Sequence, residues 1–230
     1  DILIENGEIS KIHHDIKINQ DVKLIKHNNL HVSKGWFDPS VSFGEPGFEE
    51  RETIENGLNV AASSGFTKIL LNPNTNPIPD SNAAISHLVK MGENKTTRLF
   101  PIASLTKNAD GKFLAPIYDM HSHGAIGFGD YKSSLKRANL LKIALQYSQS
   151  FNGIIFSHPL NDEISKFGMM HEGVISTKIG LRGIPTLAET MQISRDLQIL
   201  SYTDGKLHIP FISSKAVSYT HLTLPTTTIV

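Results

Sequence analysis

The sequence predicts an α/β protein: a (β/α)8 TIM barrel truncated by two units, preceded by a small β unit. From Trp36 onward, short apolar strands alternate with helices of ten to twenty residues, the pattern that builds a parallel sheet through βα units. The first 34 residues show only short strand-like runs. Helical stripes stop at glycine or start at a capping Ser, as helices in such units do.

Residues 1–34 read as strands "DILIEN", "EISKIHH", "VKLIKH" and "LHVS", with Asn6-Gly7 marking a hairpin turn. The barrel strands are "WFDPSVS", "KILLNP", "LFPIASL", "AIGFGD", "GIIFSH" and "LHIPFIS". Between them, residues 51–64 place Ile54, Leu58, Ala61 and Ala62 on one face and stop at Gly65, and Ser81 caps a helix running towards Lys90. Residues 133–150 and 185–203 carry further apolar stripes. Six strands with their helices are two units short of eight. The expected division is a partial β-sandwich unit over 1–34, the truncated barrel over 35–216, and a non-native tail over 217–230. The tail, with "SYTHLTLPTTTIV", has neither helical nor strand period and resembles a translated sequencing adapter. The opening, without Met and already in a strand pattern, leads us to expect an earlier partner strand.

Composition narrows the function. Of 230 residues 39% are apolar, enough to bury a core, and 22 basic residues balance 22 acidic ones. Nothing in that balance favours nucleic acid. No run approaches the roughly 18 apolar residues of a membrane span. The absence of cysteine excludes disulfides and thiolate metal sites, with the cytoplasm as the default compartment.

In a barrel of this kind, chemistry sits at the C-terminal ends of the strands. Those positions are Ser40, Ser42, Asn72 to Asn76, Thr106, Asp130, His158 and Phe211. The set holds one imidazole, one carboxylate and several neutral polar groups.

With these residues placed, the chain resembles dihydroorotase, of the amidohydrolase superfamily, over nearly all of residues 1–216. The phrases that carry the resemblance run in family order: "GWFDPSVSFGEPGFEERETIENG", "GFTKILLNPNTNP", "GAIGFGD", "IIFSHP", "MMHEG", "GLRGIPTLAE" and "RDLQILSYTDGKLHI". The resemblance implies a truncated TIM barrel of the metal-dependent hydrolase type preceded by part of a small β-sandwich, and hydrolysis or closure of a cyclic amide in pyrimidine biosynthesis by a metal-activated hydroxide. Such a reaction needs a divalent metal to make hydroxide and polarise the carbonyl, with a carboxylate to shuttle the proton.

The family's first strand carries two metal-ligand histidines at alternate positions, which correspond here to Ser40 and Ser42. Hydroxyls are poor zinc ligands. The family arginine that clamps the substrate carboxylate corresponds to Gly44, and the sixth-strand histidine to Phe211. Asp130 matches a metal carboxylate, His158 the strand-five ligand, and Asn74 a substrate-contacting asparagine. The family's strand-eight Asp is expected to lie beyond the end of this sequence. One His and one Asp fall short of the three protein ligands of a catalytic zinc.

The expectation is therefore a dihydroorotase-like pseudoenzyme with no cofactor, its Asp130 and His158 vestigial or weak ligands. Non-catalytic relatives in the family act as partners of aspartate transcarbamoylase, so the resemblance implies that partner and an oligomer. Two alternatives stand beside it: an active cyclic amidohydrolase with zinc on a reduced site of Asp130, His158 and the strand-eight Asp, and a small-molecule binding module around Asn74. A serine nucleophile at Ser40 or Ser42 lacks a His-acid pair to activate it. Ser157 and His158 are adjacent on a strand and face opposite ways, so they are not nucleophile and base. His121 and His123 in "MHSHG" imitate the alternating pair but precede a strand, at the other rim. His13, His14, His171 and Glu172 read as surface or structural. The glycines of "GAIGFGD" have the wrong order for a dinucleotide fingerprint.

Overall fold

The computed structural model describes residues 1–17 and 22–217. The chain divides into two compact units, Asp1–Lys34 and Gly35–Val230. In the first, β1 (Ile2–Glu5) and β2 (Glu8–Ile12) pair antiparallel around the Asn6-Gly7 turn. The strands expected at "VKLIKH" and "LHVS" do not form, and residues 22–35 carry no strand. An alternating pattern becomes a strand only where a neighbour completes its ladder. The proposed tail lies outside the described residues except Val217, which is buried.

In the second unit β3 (Trp36–Val41), α1 (Ile54–Ser63), β4 (Phe66–Leu71), α2 (Asn82–Met91), β5 (Arg98–Ala103), α3 (Ile117–Ser122) and β6 (Gly127–Phe128) follow one another. They continue with α4 (Ala138–Ser148), β7 (Ile154–Phe156), α5 (Asp162–Ser165), β8 (Met170–His171), α6 (Val174–Lys178), β9 (Gly183–Ile184), α7 (Thr186–Thr203) and β10 (Leu207–His208). Six strands form one sheet in the order β10-β7-β6-β5-β4-β3, every pair parallel. Sheet order follows chain order, so the α/β expectation is met as a six-stranded parallel half-barrel. Strands β8 and β9 form a separate parallel pair.

Local chemistry explains the boundaries. Thr53 caps α1 by accepting from the Asn56 amide at 3.2 Å, and the Glu45 carboxylate accepts from the Ile54 amide at 2.7 Å. An anion at a helix N-terminus meets the positive end of the dipole. Thr53→Ala is expected to cost about 1 kcal/mol in urea unfolding. Helix α4 starts at Ala138, later than the apolar stripe suggests. Upstream, the Leu135 and Lys136 carbonyls accept from the Arg195 guanidinium, and the Ser134 hydroxyl donates to the Leu160 carbonyl. Those tertiary bonds hold the segment extended.

The core lies between sheet and helices. One cluster joins Ile85, Leu105, Met120, Phe128, Leu141, Leu145 and Ile155, while a second joins Ile54, Leu58, Ile69, Leu71, Leu88 and Leu99. The period-two alternation of a strand then decides what faces the inside of the sheet. Because Phe128 and Ile155 point to the helices, Gly129 and Phe156 point inward. The Phe156 side chain fills the space over Gly129, where an added Cβ would sit 2.6 Å from its own Cβ. On β7 the next residue, Ser157, turns outward and donates to Asp196 of α7 at 2.7 Å. Asp196 in turn binds Arg195 at 2.6 Å, bracing α7 to β7 and to the Leu135 loop. Among the described residues no helix is long and apolar enough to cross a membrane.

Candidate functional site

Val41 packs against the helix-side core, so Ser40 and Ser42 share the opposite, inner face. Asn72, just past β4, reaches across and its amide nitrogen donates to Ser40 Oγ at 3.2 Å and to Ser42 Oγ at 3.1 Å. Ser42 Oγ donates to the Tyr131 hydroxyl at 3.3 Å. Tyr131 follows β6 with a left-handed backbone, φ 54°, and its ring turns into the same mouth. Residues from β3, β4 and β6 are thus joined by neutral hydrogen bonds. Sequence reasoning placed Asn72 among the strand-end positions without giving it a role, and it missed Tyr131. A faint signal existed for Asn72, which lies two residues before Asn74 in "LLNPNTNP".

Asp130 is placed otherwise. Its Oδ1 accepts from Ser104 Oγ, the Leu105 amide and the Thr106 amide, each at 2.9 Å, and its Oδ2 accepts from Thr106 Oγ1 at 2.5 Å. The carboxyl fastens the loop after β5. Burial pushes its pKa up, against the hydrogen bonds from Thr106, Ser104 and Leu105 that pull it down.

His158 faces inward past β7, its ring 6.1 Å from Phe211 in an edge-on arrangement, and its Nδ1 is buried without a hydrogen-bond partner among the described residues. Asn74 Oδ1 is likewise buried and unpartnered. Phe211 lines the cleft with Pro39, Asn72, Ile102, Gly129, Tyr131 and Phe156, around a cavity of about 10 Å³. Such a space holds about one water molecule. Gly44 is buried in the turn after β3, where the Phe48 carbonyl oxygen lies 1.7 Å from where a Cβ would be. No side chain fits there without moving the turn.

Two half-buried imidazoles, His158 and His208, have their pKa lowered mainly by burial; around His158, Asp162 raises it and Lys132 lowers it further. A histidine with a depressed folded-state pKa binds protons more readily when unfolded. Its contribution is complete above the unfolded value of about 6.5 and is lost as pH falls through that value towards the lower folded one. Stability is therefore expected to decline as pH drops below about 6.5. Urea midpoints across that range, compared with those of His208→Phe, will show a shallower decline in the variant if the assignment holds.

The decoy histidines stay apart from the mouth. His121 Nδ1 lies 3.2 Å from the Ala125 carbonyl, with its ring on Phe151, and His123 Nδ1 lies 2.8 Å from the Asp119 carbonyl. His13 and His14 are exposed, as are His171 and Glu172 beside the β8–β9 pair. Among the described residues no three His, Cys, Asp or Glu side chains converge as metal ligands.

Against known families, a model described as "Dihydro-orotase-like" matches residues 31–217. The chain belongs to the dihydroorotase-like family. Dihydroorotase of Syntrophus aciditrophicus is 37% identical over 216 residues, covering 93% of this chain and 51% of its own. That of Caldicellulosiruptor saccharolyticus is 37% identical over 217 residues, covering 94% and 50%. This dihydroorotase-like chain spans about half the length of the curated relatives it matches. L-Hydantoinase (dihydropyrimidinase) from Arthrobacter aurescens shares the fold, with TM-score 0.63 and 19% identity over 82% of this chain and 44% of its own.

Proposed function

We propose that this dihydroorotase-like chain is a non-catalytic subunit linked to pyrimidine biosynthesis, acting through protein contacts rather than through metal-dependent hydrolysis. Zinc chemistry would ask for at least three imidazole, thiolate or carboxylate donors around one open position. Among the described residues the donor set does not supply them. The observation that carries the reading is Asp130, whose two carboxylate oxygens accept four hydrogen bonds from Ser104, Leu105 and Thr106. With that carboxylate engaged, and Ser40, Ser42 and Phe211 unable to stand in for imidazole, His158 is left as a lone donor. The arginine clamp for a substrate carboxylate is also gone at Gly44, and the turn around it leaves no room for one.

The partner supported by the family resemblance is aspartate transcarbamoylase. On the whole-length protein, metal analysis and dihydroorotate turnover test the first claim: no stoichiometric zinc and no turnover are expected, and both together would overturn it. Co-elution with aspartate transcarbamoylase on size exclusion tests the second, and separate elution would remove the assembly role.

One observation favours a second reading. The unpartnered Nδ1 of His158 is free to ligate, as an active cyclic amidohydrolase with a reduced zinc site would need. That enzyme requires Asp130 to leave the β5 loop, and the same zinc and turnover measurements decide between the two.

A further inference from the structure

The serine pair does not face an open ligand position. The Asn72 amide nitrogen lies 3.2 Å from Ser40 Oγ and 3.1 Å from Ser42 Oγ, and the Ser42 hydroxyl donates a hydrogen bond to the Tyr131 oxygen at 3.3 Å. Asn72 is buried, and it leaves β4 where its backbone amide also donates to the Val41 carbonyl at 2.8 Å. Tyr131 holds a backbone conformation, φ 54°, that a bulky side chain adopts only when its surroundings impose it. These contacts converge on the inner-face positions where the resemblance places the first-strand metal ligands.

We infer that Asn72 and Tyr131 are positioning residues that take over the bridging role of a metal ion, clamping the ends of β3, β4 and β6 through Ser40 and Ser42. The inference rests on the reading of a site that holds no zinc, and it extends that reading. An amide nitrogen with two hydrogens supplies one donor to each hydroxyl, as a cation would draw one lone pair from each ligand. The clamp is neutral, so it needs no counter-charge and survives desolvation. It also competes with any ion: imidazoles reinstated at 40 and 42 would present their lone pairs to the Asn72 and Tyr131 donors before they met a metal.

Two measurements on the whole-length protein test this. In the first, thermal midpoints are compared for Asn72→Ala, Ser40→Ala/Ser42→Ala and the combined triple variant. Each of the first two is expected to lose about 3–6 °C, with the triple losing no more than the larger of them, because both bonds that Asn72→Ala removes are already lost in the serine double variant. Fully additive losses would overturn the clamp. In the second, Co²⁺ is the probe and its visible absorption the signal. Ser40→His/Ser42→His is expected to bind Co²⁺ about tenfold more weakly than the same pair carrying Asn72→Ala and Tyr131→Phe, since two hydrogen bonds compete in the first and none in the second. Equal affinity in the two backgrounds would overturn the inference, and a merely structural role for Asn72 and Tyr131 would give that equality. If the fourfold variant fails to fold, the thermal cycle alone still decides. Neither outcome depends on the wild-type protein's turnover, so the clamp and the loss of catalysis fail separately.

Discussion

Asp130→Ala will destabilise the protein by about 3–5 kcal/mol, because it strands buried donors that now share one carboxyl group. The Leu105 and Thr106 amides and the Thr106 hydroxyl donate to it and would lose their acceptor, while the Ser104 hydroxyl keeps the Thr106 carbonyl at 2.6 Å; Ser104, Leu105 and Thr106 are fully buried. Alanine offers no acceptor, and a water admitted to the space would satisfy only part of the set. Asp130→Asn is expected to cost less, about 1–2 kcal/mol. It keeps a carbonyl oxygen for the three donors on Oδ1, and the Thr106 hydroxyl can turn to accept from the new amide. Burial already favours the uncharged form of Asp130, which makes a neutral replacement tolerable. Urea unfolding of the three proteins checks the order. An Asp130→Ala variant as stable as wild type would mean that the carboxylate is not a structural tie and is available for ligation.

Gly44→Arg will not present its guanidinium to the cleft without displacing the turn, and will cost about 3 kcal/mol, near the upper end for overpacking. The Phe48 carbonyl oxygen is 1.7 Å from the position of the missing Cβ, and the carbonyl carbon is 2.6 Å away. Both belong to the backbone, so no side-chain rotation relieves the overlap. The Phe48 amide donates to the Gly44 carbonyl at 3.0 Å and the Gly44 amide donates to the Glu52 carbonyl at 2.9 Å, which closes the turn around the glycine. Because Glu45, next in sequence, caps α1, a shift in this turn is transmitted to the helix start. Gly44→Ala should show nearly the whole loss, since the overlap arises at Cβ. A near-neutral alanine variant would show that the turn adapts and that the arginine could have been restored.

The architecture was legible wherever local periodicity and burial agree. All six barrel strands and the helices α1, α2, α4 and α7 follow from runs of apolar residues bounded by Ser81, Gly65 or Pro185, since those signals arise within ten or twenty neighbouring residues. That Ser157 and His158 face opposite ways also followed from strand alternation alone. The strands read at "VKLIKH" and "LHVS" did not form, since a strand depends on a partner that its own residues do not specify. In the site, Ser40, Ser42, Asp130 and His158 were visible as side chains at strand ends. What they touch was not. Asn72 meets residues 30 and 32 positions away, and Tyr131 meets one 89 positions away. Contacts of that separation leave no periodic trace, and the positive φ that turns Tyr131 inward falls on a residue type that gives no warning of it.

The Ser157–Asp196–Arg195 brace has a consequence for how such a protein can change over time. It secures β7 from the helix side, through atoms that never touch the cleft. The residue next to Ser157 is therefore held in register whatever happens on its own side of the sheet. Side chains on the cleft side can therefore change in size and polarity while the helical coat keeps its footing.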